Sequence, residues 1–381
     1  MKKTKVKTLV RQVRGVSYKP EDLHNELDDN SVVLLRANNI DEGEINFDDV
    51  VYVDKCKVSD EQYLKDGDIL ICASSGSKNL VGKAASIRFN TECTFGAFCK
   101  VIRPKEGLDE YLSVYFQSPI YRRKISEEAI GANINNIRNE HIDELDIPVF
   151  SNDEQASIVK KIHLIQEVIS NRKAELEKLD DLIKARFVEL FGTLDNPSQE
   201  FVRTTLKELC NKITDGKHGG CKTEEGTERY FVGAREIYDD KVHYDTAPEI
   251  NVDEFEKDYK RCNVEIGDFL IVNTGATIGK SAIATDERTE HTLLQKSVAL
   301  LKVKKEVLNP VFLKWCYRVN TRMYIVESAS AQPNLLLSKI NSTVIYVPNI
   351  ELQNQFADFV HQVDKSKFKE KSCYIKYKIL K

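Results

Sequence analysis

The spacing of apolar residues changes character near position 150 of the 381-residue chain. Before that position, short apolar runs bounded by polar turns predict β-strands, as at residues 32–35 and 68–72, and the spacing over residues 112–124 predicts a helix. After it, apolar residues recur in alternating steps of three and four, which predicts one long helix over about residues 153–191. At 1.5 Å per residue, such a helix is about 58 Å long.

This predicted helix carries a continuous apolar seam over four heptads. Arg172 and Arg186 fill the two seam positions that are not apolar, and charged residues surround the seam. A surface helix of this length would leave its seam in water, so the pattern predicts a partner helix. The apolar seam residues are Ile162, Ile165, Ile169, Leu176, Leu179, Ile183 and Leu190.

The second half of the chain repeats the first. Residues 67–71 read Gly-Asp-Ile-Leu-Ile and residues 267–271 read Gly-Asp-Phe-Leu-Ile, and each run continues to a Gly-Lys pair, at Gly82 and Gly279. Solenoid repeats are 20 to 50 residues long, so a repeat with this much longer period is a duplicated domain. A second helix begins near residue 351, and its apolar face is formed by Phe356, Phe359, Val360 and Val363.

The resulting order is module, helix, module, helix. We predict an α/β (α+β) chain in which two tandem homologous globular domains are separated by two long helices that pack antiparallel as a coiled coil. Two separate helix bundles without a spacer role are the alternative, and the sustained heptad favours the spacer. The predicted segments are residues 1–150 (module one), 151–192 (first helix), 193–350 (module two) and 351–381 (second helix).

The second helix changes character toward its end. Apolar spacing holds through Val363, after which lysines alternate over residues 365–371 and are followed by β-branched and aromatic residues, which helices favour least. We therefore predict an altered or shortened helix. Residues 369–381 should fray and leave the first helix incompletely covered around residues 158–165.

Composition limits the functional classes. The apolar fraction is 41%, the charged fraction is 30% and the net charge is −4, so any DNA-binding surface must come from local clustering of cations. No apolar run follows the N-terminal Met-Lys-Lys-Thr-Lys, and no stretch approaches the roughly 18 apolar residues of a membrane span. Nine cysteines without a Cys-x-x-Cys pair indicate free thiols rather than zinc ligands. These features predict a cytoplasmic protein with no membrane segment.

No catalytic motif has the required spacing. A P-loop has four residues between its glycines, whereas Gly275 and Gly279 enclose three and Gly76 and Gly82 enclose five. We interpret these runs as strand–turn–strand elements with loops of variable length. A methyltransferase Asn/Asp-Pro-Pro-aromatic motif is absent from the sequence, and none of the seven histidines lies in a recognisable catalytic spacing. The sequence therefore predicts a binding protein with no catalytic residue and no metal site.

The arrangement resembles the specificity subunit of type I restriction–modification systems. Asp146-Ile147-Pro148 followed by Glu154-Gln155 is similar to that family's transition into its central conserved helix, and residues 179–192 are similar to the end of that helix. Residues 331–335 (Ala-Gln-Pro-Asn-Leu) are similar to a loop near the end of such modules, and residues 131–134 are a looser copy. The resemblance covers nearly the whole chain.

The resemblance implies a non-catalytic subunit that recognises double-stranded DNA by sequence. Each module would be a target recognition domain that reads one half of a bipartite target, and the helices would set the spacing between the halves. The implied partners are two methyltransferase subunits docked on the helices and a restriction/translocase subunit. No cofactor is expected in this chain, because the partners would hold S-adenosylmethionine, ATP and Mg. The alternative, favoured by the slight acidity, is a non-DNA interaction protein with two ligand-binding modules on a coiled coil.

Candidate DNA contacts come from the loops. Base edges in the major groove are read by Arg, Asn, Gln, Lys, Ser and Thr side chains, which are also ordinary turn formers in many proteins. In module one the predicted DNA-binding residues are Arg14, Ser17, Tyr18, Lys19, Arg36, Asn38, Asn39, Ser74, Ser75, Ser77, Lys78 and Asn79. In module two they are Lys217, His218, Arg235, Asn273, Thr274 and Thr277.

Overall fold

A computed structural model describes residues 2–77, 79–89, 91–128, 135–324 and 334–380, with only the backbone at residue 135 and from residue 368 onward. The chain forms two compact units. The first contains residues 1–170 and 376–381, and the second contains residues 171–375.

Module one consists of short strands and short helices. Its helices are α1 (Asp109–Gln117), α2 (Pro119–Glu128) and α3 (Asn139–Asp143), and they are followed by α4 (Asn152–Phe191). Its strands are β1 (Lys3–Lys5), β2 (Val10–Arg14), β3 (Leu23–His24), β4 (Ser31–Leu35), β5 (Ile40–Asp41), β6 (Glu44–Ile45), β7 (Val51–Asp54), β8 (Ile69–Cys72), β9 (Ser74–Ser75), β10 (Ala84–Ser86), β11 (Cys93–Phe95), β12 (Cys99–Pro104), β13 (Asn135–Asn136) and β14 (Asp146–Pro148).

Two four-stranded sheets organise these strands. One is antiparallel with the order β10-β8-β12-β2, and the other has the order β11-β4-β7-β3 with a parallel pair between β4 and β11. Strand β8 is buried at every position, which explains its unbroken apolar sequence.

Module two follows the same plan. Its strands are β15 (Val202–Thr205), β16 (Cys210–Asp215), β17 (Tyr230–Val232), β18 (Ile237–Tyr238), β19 (Lys241–Val242), β20 (Phe269–Val272), β21 (Ser281–Ile283), β22 (Thr292–Leu294), β23 (Val298–Val303) and β24 (Val344–Val347). Four of them form an antiparallel sheet with the order β16-β23-β20-β21, and β17 pairs parallel with β22. The helices are α5 (Leu206–Leu209), α6 (Val252–Tyr259), α7 (Pro310–Val319) and α8 (Leu337–Ser342), followed by α9 (Ile350–Leu380).

One predicted helix is wrong in its extent. The single helix expected over residues 112–124 is two helices, α1 and α2, separated at Ser118. Ser118 is extended, with φ −73° and ψ 149°, because the ring of Pro119 disfavours the helical conformation in the residue before it.

The long helices confirm the heptad prediction. Every predicted seam position of α4 is at most partly exposed, and Ile183 is buried. In the second unit the Phe187 and Phe356 ring centroids are 5.3 Å apart, and Lys367 of α9 donates to Asp180 at 2.7 Å. The contact moves toward the C-terminus of α9 as it moves toward the N-terminus of α4, so the two helices pack antiparallel there.

The end of α9 corrects one expectation. The backbone is helical through Leu380, so the composition after residue 369 does not end the helix. Intrinsic propensities of ordinary residues differ by less than about 0.7 kcal/mol each, too little to stop a helix that is already nucleated. The predicted shortening of this helix stays a prediction. Fraying of residues 369–381 stays a prediction for hydrogen exchange.

The repeated Gly-Asp turn holds a buried ion pair in each module. Asp68 is 1% exposed and accepts two hydrogen bonds from the Arg103 guanidinium, at 2.8 and 2.7 Å. Asp268 accepts from Lys302 at 2.7 Å on the equivalent strand, while burial raises the pKa of this carboxyl. The clearest motif shared by the two copies is therefore structural.

Replacing Asp68 with asparagine should lower the free energy of unfolding of module one by about 3 kcal/mol or more, because the Arg103 charge would remain in a largely buried site without an anion. Hydrogen exchange of the β8 and β12 amides in urea measures this loss. Glu21→Gln is the matched control, since Glu21 pairs with Lys19 at the surface, with side chains 67% and 76% exposed, and should change nothing measurable. Similar behaviour of the two variants would contradict the structural role of the turn.

Candidate nucleic-acid interface

Three of the predicted loops of module one meet at a single cleft with a volume of about 330 Å³. A fourth loop, which the sequence did not single out, completes it. We call these segments the recognition loops, and in module one they are residues 15–19, 36–39, 73–79 and 96–98. The cleft is lined by Tyr18, Arg36, Ala37, Asn38, Ser74, Ser75, Gly76, Gly96, Phe98 and Cys99.

Backbone hydrogen bonds bring the recognition loops together. The Val16 N–H donates to the Phe95 carbonyl at 2.8 Å, and the Gly96 N–H donates to the Leu35 carbonyl at 2.9 Å, beyond the ends of β4 and β11. Gly15 allows this approach, because a Cβ atom there would collide with the Gly96 carbonyl. The backbone at the ends of the sheet strands therefore positions the loops relative to one another.

The polar side chains of the second loop converge on one carboxylate. Arg36 Nη2 donates to Asp49 Oδ2 at 3.2 Å, and Asn38 Nδ2 donates to the same oxygen at 2.7 Å. Among the described residues, Arg36 Nε is buried and has no hydrogen-bond partner. Asn39 is only 1% exposed and donates to the Asn46 and Asp49 carbonyls. Asn39 therefore serves loop structure here, and its contact with DNA stays a prediction.

The fourth loop carries a residue that the sequence analysis missed. The Phe98 side chain is 64% exposed, and its carbonyl accepts from the N–H groups of Ala73 and Ser74 at 2.9 and 3.0 Å. A phenylalanine between two apolar strands is typical of a core position, so its sequence context hides it. The duplication could have pointed to this loop. Between the matching strand pairs β11–β12 and β22–β23, the connecting residues 96–98 (Gly-Ala-Phe) and 295–297 (Gln-Lys-Ser) differ at every position.

Module two positions its loops in the same way. The Lys217 N–H donates to the Leu294 carbonyl at 2.7 Å, the Gln295 N–H to the Val232 carbonyl at 2.8 Å, and the Asn273 N–H to Ser297 at 3.0 Å. The scaffold is shared, whereas the side chains on it differ. The recognition loops of module two are residues 216–220, 233–236, 273–277 and 295–297.

Two predicted contacts in module two do not present polar groups to solvent. Asn273 is only 3% exposed and lies at the loop base, so its contact with DNA stays a prediction. The Lys217 ammonium lies 2.6 Å from Asp258 and 3.6 Å from Glu254. The hydrogen bond with Asp258 raises the pKa of Lys217, so the side chain stays charged but is already neutralised.

The remaining predicted residues lie at the surface of the loops or beside them. Arg235 is exposed, the His218 side chain is 56% exposed, and Thr274 and Thr277 are half-buried. Lys78 lies outside the described residues, as do residues 131–134 and 331–333 of the family-like loops. The exposed members in module one are Arg14, Ser17, Lys19, Ser77 and Asn79.

The Gly-Lys runs are strand–turn–strand elements, as predicted. Strand β8 pairs antiparallel with β10, and β20 pairs with β21. Gly82 and Gly279 have φ angles of +79° and +90°, and a Cβ atom at Gly279 would collide with the Tyr324 ring. The turn therefore requires glycine for its own geometry, without any phosphate.

Among the residues whose side chains the structure describes, no three His, Cys, Asp or Glu side chains are grouped so that they could hold a metal ion. In the same part of the chain, no helix combines the length and the apolar character needed to cross a membrane. The cysteines whose side chains are described are free thiols.

Comparison with known proteins agrees with this geometry. The family described as "Type I restriction modification DNA specificity domain" matches residues 19–179 and again residues 199–373. The chain is 26% identical over 377 residues to the type I restriction enzyme EcoKI specificity subunit of Escherichia coli K12, covering 94% of this chain and 81% of the relative. It is 40% identical over 180 residues to the StySPI specificity subunit of Salmonella potsdam, covering 47% of this chain and 39% of that protein.

Solved structures show the same fold. The type I restriction–modification S subunit from M. genitalium superposes with a TM-score of 0.51 at 17% identity, covering 100% of this chain and 93% of that one. A chain from a structure of type I R-M complex assembly and conformational transition gives 0.55 at 16% identity, covering 100% and 95%. The chain belongs to the type I restriction–modification DNA specificity family, as a non-catalytic specificity subunit with two target recognition domains.

Proposed function

We propose that each module reads one half of a bipartite DNA target through its four recognition loops. The observation that supports this proposal most directly is the shared scaffold with different side chains. The same backbone bonds hold the loops in both modules, whereas the side chains on them differ: half-buried Arg36 with exposed Asn38 and Phe98 in one, and exposed Arg235 and Lys296 in the other. Two unlike half-sites require such a combination.

The chemistry of the exposed groups suits base edges. Arg pairs with guanine O6 and N7, and Asn pairs with adenine N6 and N7, each through two hydrogen bonds. Arg36 and Asn38 are held side by side by Asp49, whose carboxylate is itself an acceptor for a cytosine amino group. The exposed cations Arg14 and Lys19 stand at the two ends of the first recognition loop and would contact phosphates.

The long helices would dock the catalytic partners. Leu164, Leu182 and Val188 of α4 are exposed by 60%, 48% and 39%, although they are large apolar residues. We infer that two methyltransferase subunits cover such positions and supply S-adenosylmethionine, and that a restriction/translocase subunit brings ATP and Mg. The complex would act on DNA in the cytoplasm, and no cofactor is assigned to this chain.

Single substitutions in the loops should change one half-site at a time. We expect Arg36→Ala to relax the sequence requirement in one half of the methylated target and Arg235→Ala to do so in the other, each costing about 1–3 kcal/mol of discrimination. Methylome sequencing of a host that carries the complete system measures both. Arg322→Ala removes a cation that is 84% exposed outside the loops and should change neither half.

Three results would contradict the proposal. One is an ungapped target, another is an effect of both loop variants on the same half, and the third is unchanged specificity in both. An exchange of residues 1–150 for the equivalent domain of a relative should likewise change only one half-site. Absence of salt-dependent retention on duplex DNA, in the presence of the methyltransferase subunits, would instead favour the non-DNA interaction protein.

A further inference from the structure

The exposed ring of Phe98 is the largest difference between the two sets of recognition loops. Module two has Ser297 at this position, and the carbonyl of each residue accepts from the third loop, from the Ala73 and Asn273 N–H groups respectively. The Ser297 hydroxyl oxygen accepts from the Ala234 N–H at 3.2 Å, so this side chain serves its own loop. Only in module one does the position present a side chain to a ligand.

The Phe98 backbone is held in place, since its carbonyl accepts two hydrogen bonds from the third loop. It borders a cleft whose lining is mostly apolar, next to the Tyr18 ring, which packs over Gly96. A large apolar side chain at the surface is ordinary by itself. An exposed ring on an anchored backbone, beside an apolar cleft and among the side chains proposed to read bases, is suited to an apolar partner.

The base edges of duplex DNA offer one apolar group in the major groove, the 5-methyl group of thymine. The hydrogen-bonding groups next to Phe98 act on the same groove, because Arg and Asn find their bidentate partners there. Insertion of the ring between base pairs is the other use of an exposed phenylalanine, but it belongs to proteins that bind and bend the minor groove. The neighbours of Phe98 therefore favour contact with a methyl group.

We propose that Phe98 is a specificity-determining residue of module one that packs against the 5-methyl group of a thymine in its half-site, while module two makes no such contact at Ser297. This inference rests on the proposed function of the recognition loops. To that proposed function it adds the chemical group on the DNA that the cleft recognises, and the residue that contacts this group.

Uracil substitution tests the contact directly, because deoxyuridine differs from thymidine only by the missing methyl group. The assay uses the full chain in complex with its methyltransferase subunits and duplexes of the target determined by methylome sequencing. Each thymine is replaced by deoxyuridine in turn. We expect one replacement in the module-one half to weaken binding about fourfold, the effect of one buried methyl group.

Phe98→Ala should weaken binding to the thymine duplex by a similar factor and abolish its sensitivity to that uracil, whereas Phe98→Leu should retain part of both. Ile120→Ala is the control, since Ile120 is an apolar residue of α2 with 56% exposure that lies outside the loops. It should leave both affinities unchanged. Uracil in the module-two half should act equally on wild type and Phe98→Ala.

The inference is overturned if the module-one half contains no thymine, if every uracil there is tolerated, or if Phe98→Ala keeps the sensitivity. Weaker binding of Phe98→Ala that is independent of the methyl group would indicate insertion of the ring between base pairs and would also overturn it. Failure of the proposed function would give a different result, because methylome sequencing of the wild-type system would then show no gapped target.

Discussion

Replacing Phe187 with alanine should lower the free energy of unfolding of the second unit by about 3–5 kcal/mol, the usual loss for a fully buried phenylalanine. Phe187 is 0% exposed and lies where α4, α7 and α9 meet. Its ring centroid is 5.6 Å from that of Phe312 and 5.3 Å from that of Phe356. The alanine variant would leave a cavity between three helices that cannot all move inward.

The only tryptophan of the chain makes this loss measurable. Trp315 lies in the same core, 3% exposed, with its ring 6.4 Å from that of Phe356. Its fluorescence during urea unfolding therefore reports the second unit. Val188→Ala is the matched control, since Val188 follows directly on α4 but is 39% exposed, and it should have little effect. If the Trp315 transition were unchanged in Phe187→Ala, the helices would not belong to the core of the second unit.

The helical and repeated parts of this fold could be predicted because their signals are local. The heptad spacing of α4 predicted residues 153–191, and the helix is Asn152–Phe191. The matching Gly-Asp runs predicted the duplication, and β8 and β20 occupy the same place in their sheets. The break between α1 and α2 also has a local cause, Pro119, but a prediction from apolar spacing alone does not take proline into account.

The recognition loops were only partly predictable because their assembly is not local. The loop after β4 meets the loop after β11 through a parallel strand pair between residues about 60 positions apart in sequence. Whether a polar loop residue is available depends on distant partners. Lys217 is neutralised by Asp258 of α6, and the Asn39 side chain is bonded to the carbonyls of residues 46 and 49. No pattern near Lys217 indicates its partner.

A second large effect is expected where module two contacts α4. Lys314 of α7 lies 3.0 Å from Asp240, and its side chain is 12% exposed, so burial lowers the pKa of this lysine. Arg318, one turn later, donates to the other Asp240 oxygen at 2.6 Å and lies 3.8 Å from Asp180 of α4. Asp240 therefore pairs with both cations, and Asp180 is a second, more distant anion for Arg318.

The equivalent positions of module one carry no charge. Gly43 stands where module two has Asp240, and Ser113 and Gln117 of α1 stand where it has Lys314 and Arg318. Gln117 Nε2 donates to the Gly43 carbonyl at 3.4 Å and to Ser113 at 3.3 Å. Gln117 Oε1 accepts from Gln166 of α4 at 3.3 Å. The same junction is thus built from neutral hydrogen bonds in one copy and from ion pairs in the other.

Asp240→Asn should lower the free energy of unfolding of the second unit by about 3–5 kcal/mol, because it leaves the largely buried Lys314 ammonium without its carboxylate and Arg318 with only the more distant Asp180. Trp315 reports the loss, since the Arg318 guanidinium lies 4.7 Å from its ring centroid. Asp195→Asn is the control. Asp195 pairs with Arg322 at the surface, 74% exposed, and its loss should not be measurable.

The triple variant Asp240→Gly, Lys314→Ser, Arg318→Gln transplants the neutral set of module one and separates two explanations. If the cost of Asp240→Asn comes from unpaired charge, the triple variant should recover at least half of it, since no buried charge remains and apolar or neutral sets often replace ion pairs well. Glycine also suits the backbone at position 240, where φ is +62°. If the triple variant were as unstable as Asp240→Asn, the ion pairs themselves, and not the avoidance of an uncompensated charge, would hold module two to the helix.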